Sequence, residues 1–175
     1  MRLKIDIEKS IEKGKLIPKS QLTSMKDLIN SCFFAIVFIT CIIGPTVGIP
    51  VTITYTKVIL ILIVLLLFAT NFFLVNRMDS LTKIENKDLK VNVNYFHSLA
   101  KENNWKLFLH SENILIFNTT SWFLHERQLT IIFDKKNIFL NVMSFGNHDF
   151  KTPLYISKDK DELNQIIEKI KNNAT

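Results

Sequence analysis

The sequence predicts a membrane α-helical hairpin of two transmembrane helices, followed by a small α+β domain. In that domain a four-stranded antiparallel sheet is flanked by two helices. The main observation is that the stretch from Leu28 to Val75 has only one charged residue, Lys57. The helices and strands of a soluble domain are amphipathic and keep a polar face, so this stretch is not typical of a soluble domain. Glycines and prolines cluster at residues 44–50, where the chain is expected to turn. From about residue 91, apolar residues recur first at helical and then at alternating spacing.

Residues 1–27 are predicted as a basic cytoplasmic tail. They carry seven Lys and Arg residues against four Asp and Glu residues. Isoleucines and leucines between Ile5 and Ile17 form a weak apolar face, which Gly14 and Pro18 interrupt. Both a short helix at a membrane interface and a solvated tail fit this pattern.

The predicted hairpin occupies residues 28–75, with spans at about 28–48 and 54–75. Each span approaches the roughly 20 residues that a bilayer core requires. Positive residues precede the first span and follow the second, whereas only Lys57 lies between the two apolar stretches. Because positive residues favour the cytoplasmic side, we expect a multi-pass protein of the cell (inner, cytoplasmic) membrane with both termini in the cytoplasm.

Asn30 and Asn71 are the strongest polar residues inside the predicted spans. In an antiparallel hairpin they fall at similar depth, and a hydrogen bond between them would contribute about 0.6 kcal/mol. Alternatively, each side chain reaches the headgroups or bonds a backbone carbonyl. The two asparagines are therefore candidates for an interhelical polar contact.

A polar linker at residues 76–90 precedes the predicted cytoplasmic domain, residues 91–175. The pattern there predicts a helix, two consecutive β-hairpins and a final helix. The last helix is expected to start near Lys160, where Asp159 and Glu162 match an acidic capping box. The predicted strands are 106–110, 114–118, 129–133 and 138–143, after a helix that includes Val93, Phe96, Leu99 and Ala100.

Recognisable catalytic, nucleotide and metal patterns are absent from the sequence. The four glycines frame no phosphate loop, and no Gly-x-Ser-x-Gly nucleophile elbow is present. The four histidines are not spaced as helical metal ligands. The net charge of +6 lies mostly beside the apolar stretch, which favours a membrane surface over nucleic acid. The sequence therefore predicts no catalytic residue, no cofactor and no metal, and a non-enzymatic protein.

The link between the two predicted hairpins holds three bulky apolar residues followed by polar ones. These residues either dock on a membrane interface or a partner, or continue a strand and cap the core. If both sheet faces are apolar, a bilayer, a partner or a second copy must cover the second face. The candidate interaction residues are Trp122, Phe123, Leu124, His125, Glu126 and Arg127.

The segment from Trp105 to Ile170 resembles the tail of small, uncharacterised membrane proteins common in Bacteroidetes. The resemblance rests on residues 118–122 (NTTSW) followed by Glu126, on residues 129–134 (LTIIFD), and on residues 138–141 (IFLN) with Ser144. That family pattern favours a glycine where this chain has His125. A second likeness, in layout alone, is to YcxB-like proteins, whose membrane hairpin precedes a PH-like module. Neither resemblance implies an activity.

These observations predict a non-enzymatic, membrane-anchored module that presents its α+β domain to a protein or a lipid. The expected partners are the lipid bilayer and either another protein or further copies of the chain. One alternative is a membrane immunity or accessory protein whose hairpin docks on a larger complex. A second alternative is an enzyme with a scattered site. The partner, the ligand and the oligomeric state do not follow from the sequence.

Overall fold

The computed structural model describes residues 5–19, 54–85, 91–120, 126–135, 137–146 and 151–173. Its elements, in chain order, are helix α1 (Ile7–Lys13), helix α2 (Thr54–Met78), strand β1 (Thr82–Glu85), helix α3 (Val93–Glu102), strands β2 (Lys106–Ser111), β3 (Ile114–Thr120), β4 (Glu126–Asp134) and β5 (Asn137–Phe145), a 3₁₀ turn (Pro153–Tyr155) and helix α4 (Ile156–Asn173).

The five strands form one antiparallel sheet in the order β1-β5-β4-β3-β2. Two hairpins, β2–β3 and β4–β5, provide four of the strands, each of which contains a predicted strand and extends beyond it. The fifth strand lies in the stretch predicted as a linker, and it corrects the prediction of a four-stranded sheet. In β1, Thr82 pairs with Leu140 and Ile84 with Ile138, so this short strand extends the sheet beyond β5.

Helices α3 and α4 cover one face of the sheet. Phe96 and Leu99 of α3 and Ile166 of α4 are buried there against alternate residues of the central strands, such as Phe117 and Ile131. Asn92 caps α3, since its side chain accepts a hydrogen bond from the backbone N–H of Tyr95. These contacts form the larger of the two apolar cores.

The N-terminal segment covers the opposite face of the sheet. Ile5 and Leu16, together with Met78 at the end of α2, are buried against sheet residues that include Ile116 and Met143. The sequence predicts a tail or an interfacial helix for residues 1–27; within the described residues 5–19, the structure buries Ile5 and Leu16 in a core against the sheet. The described domain therefore has three layers, with an apolar core on each side of the sheet.

Backbone hydrogen bonds hold this N-terminal layer in place. The Leu16 N–H donates to the Asp79 carbonyl at 2.7 Å, and the Leu81 N–H donates to the Gly14 carbonyl at 2.9 Å. Gly14 ends α1 with a φ of 62°, a left-handed conformation that glycine adopts without steric cost. The glycine thus lets the chain turn back toward the start of β1.

Asn141 of β5 connects the sheet to the end of α2. Its buried Nδ2 donates to the carbonyls of Met78, at 2.7 Å, and Ser80, at 2.9 Å. Its Oδ1 is buried without a hydrogen-bond partner in the structure. The last turn of α2 is therefore fixed to the sheet by polar contacts as well as by the burial of Met78.

Within the described part of the chain, none of the helices combines the length and the hydropathy that a bilayer crossing requires. This finding contradicts the predicted pair of transmembrane helices, and with it the predicted multi-pass location in the cell membrane. The predicted span 28–48 lies outside the described residues, and the span 54–75 falls within α2. The prediction of two spans rested on apolar composition. Composition does not reveal that the end of α2 is buried in a core through Met78.

Candidate interaction surfaces

Helix α2 presents a large exposed apolar face. Eight of its described apolar side chains are exposed by 44% or more. Monomeric soluble proteins rarely leave contiguous apolar patches larger than about 300–600 Å². These side chains, which we call the α2 face, are Ile59, Leu62, Ile63, Leu65, Leu66, Leu67, Phe72 and Phe73.

Two polar side chains on the exposed surface of α2 bond to the helix itself. The Thr70 hydroxyl donates to the Leu66 carbonyl at 2.7 Å. The Asn76 Nδ2 donates to the Phe72 carbonyl at 3.0 Å. Each side chain therefore keeps one hydrogen bond within the helix when an apolar partner covers the surface.

Strand β2 is a second exposed apolar feature, at one edge of the sheet. All six of its residues are exposed, and Leu107, Phe108 and Leu109 form a continuous apolar run. The opposite edge, β1, is four residues long and carries exposed charges at Lys83 and Glu85. Short, charged edges resist pairing with another chain, whereas longer apolar edges invite it.

The structure describes two of the six predicted interaction residues. Trp122, Phe123, Leu124 and His125 lie outside the described residues, while Glu126 and Arg127 begin strand β4. The Arg127 Nη1 donates to the Glu162 Oε2 at 2.6 Å, and its Nε lies 3.7 Å from the Asp159 Oδ1. Arg127 therefore joins the sheet to α4.

The predicted contact between Asn30 and Asn71 is not described either. Asn30 lies outside the described residues. Asn71 lies on the described backbone of α2, but its side chain is outside the described set. Their interaction stays a prediction.

Asp159 is a buried carboxylate that sequence analysis identified only as a capping residue. Its side chain is 3% exposed, and it accepts hydrogen bonds from the Ser144 N–H at 2.9 Å and from the Ser144 Oγ at 2.6 Å. Burial raises the pKa of Asp159 above its ordinary value, although the Ser144 hydrogen bonds and the Arg127 charge oppose that rise. The group fixes α4 against β5.

A cleft of about 330 Å³ adjoins this cluster, between α3, α4 and the start of β4. Trp105 and Leu99 form part of its apolar wall, while Lys158, Glu162 and Lys169 supply charges of both signs. Arg127 also lines it, but its guanidinium is held by Glu162 and Asp159. This arrangement is typical of an ion-pair network that joins two elements.

The rings of His97 and His110 lie 5.5 Å apart between their centroids, at the junction of α3 and β2. Within the part of the chain that the structure describes, no group of three or more His, Cys, Asp or Glu residues is arranged to hold a metal ion. The edge of His97 also meets the ring of Phe117. His97 therefore packs beside Phe117 at the edge of the core, whereas His110 is exposed.

No protein-family model, no curated protein and no solved structure matches the chain. The resemblance to small Bacteroidetes membrane proteins stays a prediction.

Proposed function

We propose that this chain is a non-enzymatic interaction module, in which α2 docks on an apolar helical surface of a partner protein. The observation that carries the proposal is the α2 face, which is exposed and contributes no side chain to either of the two described cores. Covering apolar surface is favourable by roughly 25 cal/mol per Å². A partner therefore gains most of its binding energy from this face.

The size of the α2 face supports a stable contact. A large apolar side chain that is half exposed presents about 100 Å² of surface, so eight of them present roughly 800 Å². That area equals the share that each partner contributes to a standard protein–protein interface, about 800 Å². Interfaces of this size are typical of specific association.

The edge strand β2 supports a second mode of binding, the addition of an extended segment of a partner to the sheet. Its apolar run contrasts with the charged edge at β1, and a register shift between Leu107 and Leu109 makes its pairing with β3 irregular. Backbone hydrogen bonds provide the affinity in such complexes, and side-chain pockets provide the specificity. Strand addition at β2 leaves the α2 face free, so the two modes are compatible.

The proposal is tested by the substitution Leu66→Glu in the full-length chain. Leu66 is the most exposed residue of the α2 face, so the change leaves both cores intact and places a charge in the docking surface. We expect the native chain to migrate in a gently prepared cell extract as a complex larger than 20.4 kDa, and the variant to migrate at its monomer size.

Lys83→Glu serves as the control, because Lys83 is exposed on β1, outside the α2 face. This variant is expected to keep the complex. A native chain that migrates as a monomer, or a Leu66→Glu variant that keeps the complex, would contradict the proposed function. Circular dichroism of both variants verifies that the fold is unchanged.

A further inference from the structure

Among the described side chains of α2, the most exposed ones lie on one side of the helix. Ile59, Leu62, Leu66 and Phe73 are exposed by 57, 60, 67 and 64%, and these are the four highest values of the α2 face. Ala69, also exposed, lies between the last two. Their separations are three, four, three and four residues, which is the spacing of a heptad seam. We call these five residues the α2 seam.

We propose that a second copy of the chain packs on the α2 seam, so that α2 pairs with α2 through interdigitated side chains. This inference rests on the proposed function, since it names the partner of the same surface. Positions three and four apart lie on one side of a helix, and a 3-4 repeat keeps that side facing a second helix when the pair coils gently. The seam covers two heptads, a length of about 21 Å.

A second copy suits this surface for electrostatic reasons. From Val58 to Asn76 the sequence has no charged residue, so two α2 helices approach without like-charge repulsion and without burying a charge. The donors of Thr70 and Asn76 are already used within the helix. A two-fold contact along the α2 seam therefore packs the apolar side chains of one copy against those of the other.

The shape of the seam also fits a like partner. Ala69 has a small side chain between two large ones, Leu66 and Phe73, so a bulky residue of a facing helix has space beside it. In a two-fold contact both helices supply the same alternation of large and small side chains. The four large side chains of the seam present about half of the roughly 800 Å² of the α2 face, and they form the centre of the contact with the second copy.

Site-specific photocrosslinking in intact cells tests the proposal. Two differently tagged full-length copies are expressed together, one of them with benzoylphenylalanine in place of Leu66. The matched control carries the same group in place of Leu67, which is exposed but lies about 100° away around the helix. We expect a product of twice the chain mass that contains both tags, with at least a fivefold higher yield from position 66.

Each other outcome overturns a defined part of the reasoning. A product that joins the chain to a different protein would overturn the second copy as occupant and leave the proposed function standing. Equal yields of the two-tag product from positions 66 and 67 would overturn the seam. A product with lipid alone, or no product from position 66, would overturn both the inference and the proposed function.

Discussion

Leu16→Ala distinguishes an N-terminal layer that belongs to the core from a solvated tail. Leu16 is 4% exposed and packs in the second core with Ile5 and Met78. Truncating a buried leucine to alanine removes its transfer free energy and leaves a cavity, at a cost of about 2.7–5 kcal/mol. A change in a solvated tail would alter the free energy of unfolding by less than about 0.5 kcal/mol.

Equilibrium unfolding in urea, followed by tryptophan fluorescence, measures this difference. With a slope of about 2 kcal/mol per molar urea, a loss of about 3 kcal/mol lowers the midpoint by roughly 1.5 M. Lys13→Ala is the control, because Lys13 is exposed in the same segment. If the two variants unfold at the same midpoint, the second core does not include the N-terminal segment.

Three further predictions concern the backbone and the buried polar groups. Gly14→Ala should lower the free energy of unfolding by about 1 kcal/mol through the left-handed φ alone, because an added Cβ meets no atom within 4 Å. Gly14→Asn should lower the free energy of unfolding by less. Equal urea midpoints for the Ala and Asn variants would contradict this explanation. Asn141→Leu removes the donor of the Met78 and Ser80 carbonyls, so we expect the free energy of unfolding in urea to fall by about 2 kcal/mol. A decrease of less than about 0.5 kcal/mol would show that these bonds contribute little. Burial raises the pKa of Asp159 above 3.8. Between pH 3.8 and the raised pKa, the folded chain therefore binds more protons than the unfolded chain. In that range the free energy of unfolding falls as pH rises. Asp159→Asn should remove that fall, which urea titrations at a series of pH values measure, and an unchanged pH dependence would contradict the assignment.

The two hairpins could be predicted from the sequence because their strands carry strong apolar signals. Residues 114–117 are all apolar, and the structure buries this run on both faces of the sheet. A strand that is covered on both sides reads as a continuous apolar run. The sequence therefore indicates that the second face is covered.

What covers the second face could not be predicted. Ile5 and Leu16 lie in a lysine-rich segment with a weak apolar pattern, and their sheet contacts are about 100 residues away along the chain. Local periodicity carries no information about such distant contacts. Strand β1 was missed for a related reason, since its four residues include one large apolar side chain, Ile84.

The predicted membrane hairpin shows that apolar composition alone does not identify a membrane span. The low charge content of residues 28–75 predicted two spans, whereas within the described residues no helix qualifies as one. The end of α2 is bound to the sheet through Met78 and Asn141. Apolar composition indicates which residues avoid water, but it does not identify what they contact.

The ion pairs of Arg127 with Asp159 and Glu162 could be predicted only in part from the sequence. Asp159 was singled out as a helix cap, and Arg127 as part of an interaction loop. The structure instead brings them together with Ser144 and Glu162 between β4, β5 and α4. Spacing along one element predicts a cap, but only the pairing of distant elements reveals a network.

The α2 seam is the clearest case in which structure adds to sequence. Residues 58–68 are all apolar, so the sequence does not distinguish one side of the helix from another. The exposures provide that contrast, because they rank Leu62 and Leu66 above Leu65 and Leu67. A continuous apolar run predicts that a helix will be covered, and the gradient of exposure around its axis indicates which side meets the partner.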